Sequence, residues 1–122
     1  MSSPASLWPT ARRGEIWTAN LGLPPIRHWV VIVSVDPRNR SDYIDSVLIV
    51  PFGSRGKSGP TMLQIEPGES GLPGPSWIKA HFIETIRKAQ LVERLPRPLS
   101  DRRMRELCLM MRRAFDPDAP ML

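Results

Sequence analysis

The chain has 122 residues, 41% of them apolar, which suits one domain with its own core, since domains commonly run to roughly 100–150 residues. A net charge of +5 and a pI near 10.3 favour anionic partners, nucleic acid or an acidic protein. No run approaches the roughly 20 apolar residues of a membrane helix, and the single cysteine, Cys108, excludes an internal disulfide and a Cys-rich zinc site.

In chain order, residues 1–11 are rich in Ser, Pro and Ala and read as a disordered segment, with Trp8 its one anchor. That opening has no apolar stretch of signal-peptide length, so a cytoplasmic protein is expected. A single domain is expected over 12–116, followed by a tail over 117–122. A short strand pattern begins at Ile16. "LPPIR" is a connection, because two prolines fix the backbone and remove two donors. "HWVVIVSVD" is the strongest strand signal, β-branched and apolar on both faces. "PRNRSD" reads as a polar turn. "SVLIVPFGS" is a second core strand, ended by Pro51 and Gly53. "RGKSGP" is a basic loop, "TMLQIE" an alternating strand and "PGESGLPGP" a turn-rich connector.

"SWIKAHFIETI" then reads as one strand with an anomaly. Alternation gives Lys79, His81 and Ile83 one face and leaves Ile78, Ala80 and Phe82 the core face. "KAQLVERL" is a short strand or turn. After it the period changes to that of a helix at about 100–115. Met104, Leu107, Cys108, Met111 and Phe115 form its apolar stripe, and Ser100 is its N-cap. The stripe suits the chain's own core or a second subunit. Short strands joined by Gly/Pro turns indicate a mainly β fold, a small barrel or sandwich, with one C-terminal α-helix.

For chemistry, "GSRGKSG" lacks Walker spacing and no helix follows it. His28 and His81 lie in separate segments with no acidic cluster, so no metal and no cofactor are expected. What remains is Arg27, Ser54, Lys79 and His81. RNA cleavage by the internal 2′-hydroxyl needs a base, an acid, and donors or cations around the phosphorane, and these residue types supply them. Read for structure alone, Lys79 is the solvated face of an edge strand, His81 a hydrogen-bonded surface histidine and Arg27 a structural residue. Pattern alone favours those readings.

The ordered series "RRGEIWTANLG", "RHWVVIVSVDPRNR", "SVLIVPFGS", "PTMLQI", "GLPGPSWIKAHFIETIRKAQL" and "PLSDRRMREL", spanning roughly residues 12 to 107, resembles the MazF/PemK family of toxin endoribonucleases. The resemblance implies an SH3-like, CcdB/PemK-like β-barrel with a C-terminal helix, working as a homodimer. It implies the toxin of a type II toxin–antitoxin pair, cutting single-stranded RNA without a metal, restrained by an acidic antitoxin and meeting DNA only through the antitoxin complex. It places the catalytic roles on Arg27, Ser54, Lys79 and His81, and RNA binding on Arg55, Lys57 and His28. Three departures stand out. Lys79 and His81 occupy the positions where, in the PemK branch, an arginine and an aspartate one residue apart supply acid and base. The loop before Arg27 is cut down to "GLPPI", and "IETIR" reverses the family's charges at Glu84 and Arg87, which can still pair with each other. Two alternatives stay open. One is a gyrase-poisoning, CcdB-like protein acting near its C-terminal helix. The other is a catalytically inactive nucleic-acid-binding barrel, which the shortened loop favours.

Overall fold

A computed structural model describes residues 8–121. Its strands are β1 (Ile16–Leu21), β2 (Ile26–Ile32), β3 (Ser46–Gly53), β4 (Met62–Ile65), β5 (Ser76–Lys79), β6 (Glu84–Arg87) and β7 (Leu91–Arg94). Two single-turn helices, α1 (Asp36–Asn39) and α2 (Pro67–Ser70), interrupt them, and α3 (Asp101–Phe115) follows. All pairings are antiparallel, in the order β4-β5-β3-β2-β1-β7, with β6 also on β3. β3 is the hub: β2 runs along one edge, and β6 and β5 share the other.

The apolar character of β2 and β3 on both faces has a physical reason, because each face has its own core. Val31, Val33 and Val50, with Trp29 and Phe52 beside them, join Ile65, Ile78, Ala80 and the α3 residues Met104 and Leu107. The alternate residues Val30, Ile32, Val47 and Ile49 join Trp17, Ala19, Ile86 and Leu91. β6 and β7, at the two ends of the path β6-β3-β2-β1-β7, both reach this second core, so that part of the sheet curls around it. The fold is mainly β with a C-terminal helix, and among the described residues no ladder closes the barrel between β6 and β7. No helix among the described residues is long and apolar enough to cross a membrane.

The Ser100 hydroxyl caps α3 by accepting from the Arg103 amide at 3.2 Å. Arg103 also clamps α2. Its Nε donates to Glu69 Oε1 at 2.6 Å and its second nitrogen to Oε2 at 3.2 Å. These bonds, with the Glu66 backbone, hold the Glu69 carboxyl below its ordinary range.

Several expectations are corrected. The helix stripe is shifted: Met104 and Leu107 are buried and Met110 and Met111 pack beside them, but Cys108 is exposed and Phe115 is 69% exposed. Helical spacing fixes a stripe but not which arc of it the core covers, and the covered arc here is the one carrying Met104 and Leu107. Of the segment read as disordered, residues 1–7 lie outside the described residues. Residues 8–11 are docked: Lys88 Nζ lies 5.4 Å from the Trp8 ring centroid, and Ala11 is buried in the second core. Lys88 is itself buried and donates to the Ser41 carbonyl at 2.9 Å, and burial lowers its pKa. "PRNRSD" is more than a turn, because it opens as α1. Asn39 is buried there, donating to the Ser34 carbonyl at 2.9 Å. The tail folds back as well, with Arg113 donating to the carbonyls of Pro120 (2.8 Å) and Pro60 (3.1 Å).

Candidate nucleic-acid interface

The segment expected as one strand is broken in the middle. β5 pairs Ile78 with Phe52, and β6 pairs Glu84 with Ile49. Between these pairs β3 has only Val50 and Pro51, while the other chain runs from Lys79 to Ile83, so three residues are extruded. The extrusion closes as a turn, with the Phe82 amide donating to the Lys79 carbonyl at 2.9 Å and the Ala80 amide to the Thr61 carbonyl at 2.8 Å. Lys79, His81 and Ile83 therefore do not share a strand face. His81 stands in the turn, exposed, with Nδ1 and the Thr61 hydroxyl 3.0 Å apart. Its ring meets Phe82 edge-on at 4.6 Å. Lys79, between buried Ile78 and Ala80, points the other way and sets its Nζ 5.4 Å from the Phe82 centroid. Phe82 is 48% exposed rather than part of the core. It is the hub of the polar pair, and strand alternation hid it.

Arg27 is exposed near the start of β2, across from Asn20. Two residues before Trp29, it shares Trp29's face. Ser54, just past β3, lines a cleft of about 250 Å³ with Trp29, Phe52 and residues 72–76. Arg27 and Ser54 thus belong to the Trp29 side of the sheet. His28 belongs to the opposite face and lines a different cavity, with Pro51 and Glu84. Arg55 and Lys57 are exposed on the loop after β3. Gly56 lets that loop lie flat on Trp77, because a Cβ there would come within 2.5 Å of the indole. Among the described residues, Arg27, Arg55 and Lys57 make no ion pair.

The four residues named for catalysis therefore form two groups, Arg27 with Ser54 and Lys79 with His81. Two contributors escaped the sequence reading. Thr61 is tied to His81 only through the fold, with no local signal. Glu84 carries a signal, its reversed charge, but the sequence offers Arg87 as its partner. Alternation along β6 sends Glu84 and Arg87 to opposite faces, and no ion pair joins them among the described residues.

Residues 12–115 match the family described as PemK-like, MazF-like toxin of type II toxin–antitoxin system. The chain is 33% identical over 110 residues to the probable endoribonuclease MazF5 of Mycobacterium tuberculosis, covering 85% of this chain and 92% of the relative. Its fold resembles that of an endoribonuclease solved with its cognate antitoxin from a mycobacterial species, at a TM-score of 0.76 and 24% identity over 90% of this chain and 99% of the other. It also resembles a MazE–MazF complex from Deinococcus radiodurans, at a TM-score of 0.71 and 15% identity over 86% and 95%. By the extent of these matches, the chain belongs to the PemK-like, MazF-like toxins of type II toxin–antitoxin systems.

Proposed function

We propose that this chain is a cytoplasmic toxin that cuts single-stranded RNA at preferred sequences, without a metal, as a homodimer. Family membership over residues 12–115 carries the reading, and Arg27 gives it a chemical centre. The 2′-oxygen attacks the adjacent phosphorus, a base takes the hydroxyl proton, and an acid protonates the departing 5′-oxygen. The products are a 2′,3′-cyclic phosphate and a 5′-hydroxyl. The Arg27 guanidinium suits the phosphorane, since it gives two hydrogen bonds to phosphate oxygens. Ser54 adds a donor. His81 moves a proton through Nε2, because the contact of Nδ1 with Thr61 fixes the ring's orientation. Lys79 contributes positive charge, and Arg55, Lys57 and His28 hold the flanking nucleotides. An acidic antitoxin segment lies over this basic surface and displaces the RNA. DNA is met only through that complex.

The separation of the two groups favours one second reading, a barrel that binds RNA without cutting it. Incubating the purified protein with a long RNA in EDTA distinguishes the two. Fragments that persist in EDTA support the toxin nuclease. Loss of cutting with chelator overturns metal independence, and binding without fragments under any condition supports the second reading.

A further inference from the structure

The cavity at the tip of the β1–β2 hairpin has a volume of about 410 Å³, within the roughly 300–1,000 Å³ of small-ligand sites. Its walls are mostly apolar: Leu21, Leu23, Ile26 and Pro51. Two polar side chains enter it, His28 from β2 and Glu84 from β6. The Glu84 carboxylate is unpaired among the described residues, although the chain carries a net charge of +5. Charge and wall chemistry both restrict what such a cavity takes. A carboxylate repels phosphate, so on a surface that binds RNA it costs affinity unless it accepts hydrogen bonds from a base. Apolar walls with an imidazole among them suit the flat face of an unstacked base.

We propose that this cavity holds a single unstacked guanine of the RNA, whose N1–H and N2–H both donate to the Glu84 carboxylate while the His28 ring and the apolar wall flank its face. The choice of base follows from donor geometry. Guanine alone presents two adjacent donors on its Watson–Crick edge, matching the two oxygens of a carboxylate. Adenine puts an acceptor at N1, cytosine an acceptor at N3, and uracil flanks its one donor with two carbonyls. The inference rests on the RNA-directed reading above and adds the identity of one base to it.

The test is binding of the full chain to short oligouridines that carry one central guanine, inosine or adenine, measured by fluorescence anisotropy. All riboses are 2′-fluoro, so that no cutting can occur. The guanine oligomer is expected to bind tighter than the adenine one by about ten-fold or more, as a bidentate base contact discriminates. Inosine, which lacks the N2 donor, is expected to fall between them. Glu84→Gln should collapse the guanine-to-adenine ratio toward one, while Glu93→Gln, the same charge change on exposed β7, should leave the ratio unchanged. Equal binding of guanine and adenine oligomers by the unmodified chain overturns the proposal. So does a ratio that survives Glu84→Gln, or one that Glu93→Gln abolishes equally. An all-ribose RNA run alongside keeps the two ideas apart: a missing fragment pattern counts against the nuclease reading, whereas the affinity ratios judge the guanine cavity alone.

Discussion

A guanidinium can grip a phosphate with two parallel hydrogen bonds, and an ammonium cannot. Arg27→Ala is therefore expected to slow cleavage by about 10²–10³, the usual effect of losing one charge-stabilising donor. Arg27→Lys should lose rate yet keep the pH profile. His81→Ala should cost roughly 10²–10⁴, as removal of a positioned acid or base does, and should flatten the limb of the profile that an imidazole provides. Single-turnover rates across pH measure both. Full activity in His81→Ala, with Arg27→Ala dead, would reassign the proton transfers, Arg27 first. At Glu69 the question is stability. The Arg103 hydrogen bonds lower its folded pKa below the unfolded value. The stabilisation is thus fully present above the unfolded value and is lost as pH falls through the folded one. Glu69→Gln should lower the urea midpoint at neutral pH and narrow its gap from the parent in acid. An equal shift at both pH values would contradict the ion pair.

At the scale of single elements, α3 depends on its first turn. Ser100→Ala removes the cap and should cost about 1 kcal/mol in urea unfolding. Gly56→Ala sets a Cβ against Trp77 and Met62 and should cost about 1–3 kcal/mol by overpacking. A variant as stable as the parent would show that the basic loop is not held there. These elements differ in how far the sequence revealed them. β2 and β3 were legible because both faces are apolar, and Ser100 was legible because capping is local. The break after Lys79 was not legible. Ile78 and Ala80 keep the strand alternation through it, and the turn is pinned by Thr61, in a separate part of the chain. For the same reason strand alternation places Phe82 in the core, where the structure does not. Arg27 could be placed from sequence, since it opens the strongest strand. Its separation from Lys79 and His81 could not, since it depends on which sheet face each strand presents. Cys108 and Phe115 were misplaced because helical spacing fixes a stripe but not which arc of it the sheet covers.

For the whole molecule, the proposed dimer cannot draw on Met104 or Leu107, which are buried in the chain's own core. Exposed apolar side chains outside the proposed RNA site, such as Val35, Tyr43 and Phe115, remain available. Light scattering at micromolar concentration is expected to give twice the monomer mass, and a monomeric mass would count against the dimer. Antitoxin affinity should fall with salt, because exposed charges are screened over about 10 Å at 0.1 M. Affinity that rises with salt would refute a charge-led contact. The most direct measurement compares an all-ribose RNA with one carrying a single 2′-deoxy nucleotide at the mapped cut, both in EDTA, with the fragment ends analysed. The ribose substrate is expected to yield a 2′,3′-cyclic phosphate and a 5′-hydroxyl, and the deoxy substrate to remain intact. Cutting of the deoxy substrate, or fragments that begin with a 5′-phosphate, would contradict attack by the 2′-hydroxyl.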